Sequence, residues 1–265
     1  MSGRILIIDT VPTNRIVLKV KMVTAQFSVD ACSSRLEAEA IIATNRPDLI
    51  LVNLSDPVED RHNFCKTLRA EAETASIAII AVGVADTAKA RFAALDAGAD
   101  DVLPRPMSDT LLLARIRSLL RVRSASEELL LRDSTSRALG FEEASARFET
   151  AAHVALLSTT ATPEPTLLAT LTKGLRQPVR ALEPSCVLRQ TDVTPVPDLF
   201  VIDGTNATAA DGKLFGLVSD LRCRSETRLA TQLVIVPDDA PDVAAMFLDL
   251  GADDVAATSL SLIHI

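Results

Sequence analysis

The sequence contains no tryptophan and no tyrosine, and its eight phenylalanines hold the aromatic share at 3%. Hydrophobic residues nevertheless make up 48% of the 265 residues, so the cores must be built from aliphatic side chains. No apolar run approaches the ~20 residues of a membrane-spanning helix, and the start at Met1-Ser2-Gly3-Arg4 does not resemble a signal peptide. These absences predict a cytoplasmic protein without membrane contact.

Positive charge, cysteine and glycine are also scarce. The formal net charge is -8, which argues against a general nucleic-acid binder because such proteins usually carry a basic face. The nine glycines are never adjacent, so the chain has no nucleotide loop built on a Gly-Gly pair. The four cysteines lack metal-ligand spacing, which is typical of reduced thiols: Cys32, Cys65, Cys186 and Cys223.

Two similar stretches organise the chain, PDLILVN at residues 47–53 and PDLFVID at 197–203. Each is a short apolar run with a polar end, which predicts a strand buried on both faces. Around the first stretch, five short strands alternate with five helices, which indicates a parallel sheet with helices on both faces. The fifth helix meets no proline or glycine from Arg121 up to Gly140, so we expect it to continue into a connector.

An internal repeat predicts a second copy of this arrangement. The sequence LDAGADDV at residues 95–102 returns as LDLGADDV at 248–255, and Leu68-Arg69 returns as Leu221-Arg222. We therefore expect a first domain at 1–120, a helical linker at 121–151 and a second domain at 152–259. The second domain is expected to be incomplete because its pattern ends before a fifth helix.

The last residues, LSLIHI at 260–265, match the translation of a transposon end used as a sequencing adapter. We expect this tail to be non-native, and the natural chain to continue past Thr258. The alternative is an ordinary apolar tail. These residues are excluded from the fold prediction.

The order of motifs in the first half resembles the receiver domain of two-component response regulators. The motifs are Ile7-Ile8-Asp9, Leu51-Val52-Asn53, Asp56-Pro57, the strand end at Gly83, residues 98–101 and Arg105-Pro106. The resemblance implies a flavodoxin-like, CheY-like doubly wound five-stranded sheet. Two such domains joined by a helix are similar to the amino-terminal part of PleD-type diguanylate cyclases, in which a GGDEF catalytic domain follows.

The resemblance implies a phosphorylation site, and this sequence departs from it at most positions. In the family an aspartate accepts the phosphoryl group, an acidic pair helps to hold Mg²⁺, and a Ser/Thr hydroxyl and a lysine complete the site. Here the acceptor position is Asn53, and the acidic pair is Asp9-Thr10. The hydroxyl position is Gly83, and the lysine position is Arg105, followed by Pro106 in a bond that is often cis in the family. We expect no catalysis here, and at most weak Mg²⁺ binding at Asp9.

The second half keeps a carboxylate at the acceptor position, Asp203, but replaces the acidic pair by Ser158-Thr159. Its lysine-proline position falls near Thr258-Ser259. Without metal partners Asp203 is a poor phosphate acceptor, and its alternative role is to hydrogen-bond the following turn. The pairs Asp100-Asp101 and Asp253-Asp254 resemble metal ligands, but they are expected to cap the turn before a strand.

These features favour the regulatory part of a PleD-type response regulator, with two degenerate receivers acting as dimerisation or adaptor modules. A missing GGDEF domain would make cyclic di-GMP from GTP. The expected partners are a second copy, through a face with Arg115 and Arg117, and a histidine kinase or an adaptor protein. Two alternatives stay open: a stand-alone protein-interaction module and a flavodoxin-like domain that binds a small ligand.

Overall fold

A computed structural model describes residues 3–55, 61–138, 152–158, 165–175, 177–189 and 195–258. The chain divides into two compact units, Met1–Glu127 and Glu128–Ile265. The division falls inside the stretch for which the sequence predicts a helical linker. Within the described part of the chain, no helix is both long and apolar enough to cross a membrane.

The first unit is a parallel sheet of five strands in the order β2-β1-β3-β4-β5, with helices between successive strands. Its elements in chain order are β1 (Arg4–Ile8), α1 (Pro12–Thr24), β2 (Ser28–Cys32), α2 (Arg35–Thr44), β3 (Leu49–Asn53), α3 (Arg61–Ala70), β4 (Ala78–Val84), α4 (Ala88–Asp96), β5 (Asp101–Pro104) and α5 (Asp109–Ala138).

Strand β3 is buried along its whole length, as the apolar run predicts. Its alternate residues enter two cores: Ile50 and Val52 pack with Phe64 on one face, while Leu49 and Leu51 pack with Ile116 on the other. Because both faces of a parallel sheet are covered, a central strand needs no polar side of its own. The functional side chains are therefore confined to the strand ends.

The second unit repeats this topology. Its sheet has the order β10-β9-β8-β6-β7, which is the order of the first sheet read from the opposite edge. The elements are β6 (Val154–Ser158), α6 (Pro165–Leu175), β7 (Val179–Leu182), α7 (Pro184–Arg189), β8 (Leu199–Asp203), α8 (Gly212–Cys223), β9 (Thr231–Val236), α9 (Pro241–Leu250) and β10 (Asp254–Ala257). The predicted fold class, two flavodoxin-like five-stranded sheets in tandem, is confirmed.

Some elements differ from the sequence prediction. Strand β7 and helix α7 were not expected; β7 is a four-residue edge strand without a buried run, so its apolar signal is weak. The sequence predicts that helix α3 ends near Glu73-Thr74, but it ends at Ala70, where the Thr74 hydroxyl donates to the Leu68 carbonyl at 2.7 Å as the chain turns. The continuation of α5 is confirmed as far as Ala138. Residues 259–265, including the predicted tail, lie outside the described residues.

The internal repeat produces the same set of hydrogen bonds around one arginine in both units, which we call the clamp. Arg69 on α3 donates to the carbonyl of Gly98 at 2.8 Å and to the Asp100 carboxylate at 2.6 Å. The same Asp100 oxygen accepts the backbone N–H of Ile79 at 2.7 Å, which ties the start of β4 to the turn before β5. These aspartates therefore serve the turn, as the capping interpretation predicts.

The second clamp uses Arg222, Gly251 and Asp253. Arg222 donates to the Gly251 carbonyl at 3.0 Å and to Asp253 at 2.6 Å, and Asp253 accepts the Gln232 N–H at 2.8 Å. Gly98 and Gly251 have φ values of +100° and +122°, a region that favours glycine. Repetition of the whole clamp explains why this motif recurs in the sequence.

Candidate functional site

The carboxyl ends of β1, β3 and β4 bring together the residues that the sequence singles out. Asp9 follows β1, Asn53 ends β3 and Gly83 lies in β4, while Arg105 follows β5. Asp9 is 1% exposed and Asn53 is 3% exposed. The structure thus brings these residues together at one edge of the sheet, where open α/β folds place their chemistry.

Asp9 is the centre of the cluster. Its Oδ2 accepts hydrogen bonds from the side-chain amides of Asn53 at 3.0 Å and Asn14 at 3.1 Å. The same oxygen pairs with the Arg105 guanidinium at 3.3 Å, while Oδ1 accepts the Val11 N–H at 2.8 Å. The carboxylate is bound on both oxygens by groups of the protein itself.

Asn53 occupies the acceptor position, and its amide is fully engaged. Its Nδ2 donates to Asp9, and its Oδ1 accepts the Ser55 N–H at 3.0 Å and the Ser55 hydroxyl at 2.6 Å. An amide oxygen carries no ionised form that could attack phosphorus and hold an acyl phosphate. The geometry therefore gives this side chain a structural role between Asp9 and the following turn.

Gly83 stands beside Asn53 at an irregularity in the pairing of β4 with β5. Its φ is +75°, and a Cβ at this position would lie 2.6 Å from Asn53 Oδ1. A Ser or Thr with the hydroxyl that the family uses would need both a different backbone and a displaced Asn53. The hydroxyl of the family therefore cannot be placed at position 83 unless the Asn53 side chain moves.

The remaining predicted residues flank the cluster. Thr10 follows Asp9, and the backbone carbonyls of both accept hydrogen bonds from Arg15, at 2.6 Å from Asp9 and 3.0 Å from Thr10. The peptide bond between Arg105 and Pro106 is cis, as the resemblance implied. The motif Asp56-Pro57 lies outside the described residues.

Three contributors were missed from the sequence. Asn14 and Ser55 bind Asp9 and Asn53 respectively, and Arg61 is only 2% exposed. Arg61 donates to the Asn53 carbonyl at 2.7 Å and to the Ser33 carbonyl at 3.3 Å. Asn14 lies five residues after Asp9, in the first turn of α1, and this nearness in sequence offered a signal. For Arg61 only the fold supplies the contact.

The corresponding edge of the second unit is simpler. Asp203 Oδ1 accepts the Thr205 N–H at 3.2 Å and its hydroxyl at 2.8 Å, and Oδ2 accepts the Ser158 hydroxyl at 3.2 Å. This is the turn-binding role named as its alternative. The hydroxyl position falls on Val236, one residue past the strand partner of Asp203, and Thr258 donates its hydroxyl to the Val236 carbonyl at 2.9 Å.

Mg²⁺, which the fold family implies, does not fit the first edge. The ion prefers several oxygen ligands in octahedral geometry. Here the single carboxylate is already paired with the Arg105 guanidinium, whose positive charge repels a cation, and it also accepts hydrogen bonds from Asn14 and Asn53. Among the described residues, no group of three or more His, Cys, Asp or Glu side chains could hold a metal ion.

The α5 face predicted for dimerisation divides into two parts. Leu112 and Ile116 are fully buried against the sheet, and Leu119 packs partly buried beside them, as expected. Arg115 pairs with Asp101 at 3.1 Å and its side chain is only 15% exposed. Arg117 is exposed. Arg115 is therefore an internal ion-pair partner, which changes the design of a dimer test.

The Cys65 thiol lies in the core of the first unit. Burial raises the pKa of Cys65 to about 11, although the positive charge of Arg69 opposes the rise. At neutral pH the thiol therefore stays protonated, and the thiolate is the form that reacts. Cys65 is a core residue and not a nucleophile.

Comparison with known proteins bears on the first unit. The family model of the response regulator receiver domain matches residues 5–117. This stretch is a response regulator receiver domain. Response regulator PleD of Caulobacter vibrioides (strain NA1000 / CB15N) is 31% identical over 140 residues, covering 53% of this chain and 31% of PleD.

A second group of relatives is equally similar. Response regulator MprA of Mycobacterium sp. (strain KMS) is 36% identical over 127 residues, covering 48% of this chain and 54% of MprA. The chain thus spans about a third of PleD and about half of MprA. Both relatives are response regulators by name, and the similarity does not select one of the two.

Solved structures cover the same part of the chain. A response regulator from Chloroflexus aurantiacus J-10-fl is 26% identical, with a TM-score of 0.43, and covers 46% of this chain and 99% of its own. A two-component response regulator from Clostridium difficile is 28% identical, with a TM-score of 0.42, and covers 45% of this chain and 96% of its own.

Proposed function

We propose that this chain is the regulatory part of a PleD-type response regulator, whose two receiver units work without phosphorylation. The observation that carries the proposal is the state of the acceptor position. Asn53 is buried, lacks a nucleophile and is bonded to Asp9 at 3.0 Å, while the surrounding sheet is intact. A receiver that keeps its fold but lacks a phosphate acceptor serves as a binding module.

The tandem arrangement supports the PleD type over a single-receiver regulator. Two sheets of the same topology follow one another, and a continuous helix, α5, leaves the first of them. In this proposal the units bring together two GGDEF domains, which this sequence does not contain, and so control the synthesis of cyclic di-GMP. A histidine kinase or adaptor protein would act as a binding partner and not as a phosphate donor.

A second candidate is an adaptor that binds a partner protein through α1. Four of its apolar side chains are between 44% and 64% exposed: Ile16, Val17, Val20 and Val23. Such a cluster on one helix favours protein contact. The small-ligand alternative has less support, because Asp9 and Asn53 at the sheet edge are almost fully buried and are hydrogen-bonded to each other.

The test of phosphorylation independence is direct. The full chain is incubated with a small-molecule phosphodonor and Mg²⁺, then analysed by intact mass and by sedimentation. We expect no phosphoryl adduct on the first unit and the same sedimentation profile before and after treatment. A stable adduct mapped to residues 3–55, or a donor-dependent change of association state, would contradict the proposal.

A further inference from the structure

We propose that Arg105 is a built-in cation that takes the place of Mg²⁺ at Asp9 and holds the first unit in one arrangement. The inference rests on the proposed function, because a module that works without phosphorylation needs another way to stabilise this edge. It adds a residue-level mechanism: the protein's own guanidinium supplies the positive charge that a receiver otherwise takes from solution.

The first step of the argument is the cost of burying Asp9. The residue is 1% exposed, and a buried carboxylate needs a paired charge or a full set of hydrogen bonds. Arg105 supplies the charge at 3.3 Å from Oδ2, with a side chain that remains 40% exposed. The guanidinium thus reaches inward from the surface to a carboxylate that solvent hardly touches.

The second step is the number of donors. A carboxylate has about four acceptor sites. Asp9 receives four donors from the protein: the side chains of Asn14, Asn53 and Arg105 on Oδ2, and the Val11 N–H on Oδ1. A metal ion would have to displace several of these groups. The donors therefore crowd Oδ2 and occupy one site on Oδ1, so most of the acceptor capacity of Asp9 is used without a metal.

The third step is the connection to the strand ends. Asn53 links Asp9 to Ser55, and Arg61 binds the Asn53 carbonyl at 2.7 Å. The residues after β1, at the end of β3 and after β5 are thereby joined in one hydrogen-bonded cluster. Removal of the Arg105 charge should loosen the ends of these strands, and a divalent cation should restore them.

Hydrogen–deuterium exchange of the full chain, followed by mass spectrometry, tests this locally. For the wild type we expect the same exchange rate at residues 4–15 and 49–55 in Mg²⁺ and in NaCl of equal ionic strength. The Mg²⁺ concentration is about 10 mM, a large excess for a functional site. For Arg105→Gln we expect at least about a tenfold faster exchange there, because a buried charge loses its partner. Mg²⁺, and not NaCl, should reverse most of this increase.

Arg91→Gln is the matched control, because Arg91 forms its ion pair with Asp86, at 2.7 Å, and is not one of the donors to Asp9. It should leave exchange at both stretches as in the wild type. If Arg105→Gln does not fold, Asp9→Asn provides a second background. In that background the buried carboxylate charge is absent, so the double variant Asp9→Asn with Arg105→Gln should fold. Its exchange should be less than twofold faster than that of Asp9→Asn alone.

Three results would overturn the inference. They are slower exchange of the wild type in Mg²⁺, unchanged exchange in Arg105→Gln, and faster exchange in that variant that Mg²⁺ does not reverse. The last would leave Arg105 as an ion-pair partner that does not replace a metal. Failure of the proposed function has a different readout, since it appears as a phosphoryl adduct in intact mass.

Discussion

At the scale of single residues, the neighbours of Asn53 form hydrogen bonds that suit an amide at this position. Asn53 donates to Asp9 and accepts from Ser55, so an acidic residue there would reverse the polarity of one of its contacts. The site cannot be restored by one change, because the surrounding groups are arranged around an amide.

This arrangement predicts that Asn53→Asp destabilises the protein and does not create a phosphate acceptor. The new carboxylate would stand about 3.0 Å from Asp9 in a buried place, where like charges repel. We expect a loss of about 1–3 kcal/mol in the free energy of unfolding, measured by urea titration with circular dichroism. Asn45→Asp adds the same charge at an exposed helix end and should change stability by less than about 0.5 kcal/mol.

Gly83 gives the second prediction at this scale. Gly83→Ser restores the family hydroxyl, but its Cβ would lie 2.6 Å from Asn53 Oδ1 at a φ of +75°. We expect a loss of about 1–3 kcal/mol in unfolding free energy. Gly212→Ser is the control, since no atom lies within 4 Å of a Cβ there. Equal stability of the two variants would show that the edge tolerates the hydroxyl.

At the scale of structural elements, the repeated clamps explain why the two units share one sheet topology although the residues at the carboxyl ends of their strands differ. Arg69 joins α3 to the turn before β5 and also donates to the carbonyls of Ala75 at 2.6 Å and Ile77 at 2.7 Å. One side chain thus satisfies several backbone groups from three segments. Such a role depends on the length and fork of arginine.

The clamp predicts that Arg69→Met costs about 2–4 kcal/mol in unfolding free energy, because carbonyls and a carboxylate lose their donors together. Arg222→Met should have a similar effect on the second unit. Lys66→Met is the control. Lys66 forms an ion pair with Asp96 in which the two side chains are 55% and 80% exposed, and this pair should contribute at most about 1 kcal/mol to the free energy of unfolding. Thermal unfolding and urea titration measure all three. A loss for Arg69→Met no larger than that for Lys66→Met would remove the clamp as a stabilising element.

At the scale of the whole molecule, the proposed function requires an association that does not wait for a signal. Helix α4 exposes Phe92 at 43% and Leu95 at 40%, and the neighbouring α5 exposes Arg117. We predict that the chain self-associates through this face in a manner governed by concentration alone. Arg115 is left unchanged in the test, since its pair with Asp101 belongs to the fold.

Arg117→Glu should therefore weaken self-association by about tenfold, because charge at an interface rim adjusts affinity without altering the fold. Sedimentation velocity over a range of concentrations is the measurement, with circular dichroism as the folding control. Lys213→Glu makes the same charge change at an exposed position of the second unit and should have no effect. A wild-type chain that stays monomeric throughout would leave only the adaptor role.

The sequence by itself determined the two parallel sheets, and it placed an amide, Asn53, at the position where the family has an aspartate. The spacing of apolar residues and the positions of proline and glycine located most strands and helices, because a short apolar run such as that of β3 favours a strand covered on both faces. The repeat predicted a second unit, and Asn53 excluded an acyl phosphate whatever its surroundings. Strand β7 was missed because a short edge strand carries little apolar signal.

Only the tertiary structure decided which contacts the polar residues at this edge of the sheet make. Asn14, Asn53 and Arg105 are up to 91 residues apart in sequence, and the fold brings them to one oxygen of Asp9. The same holds for Arg115, which the sequence places on a helix surface and the structure pairs with Asp101. Sequence patterns report which residues face inward, whereas the choice of a partner for a buried charge depends on distances that only packing sets.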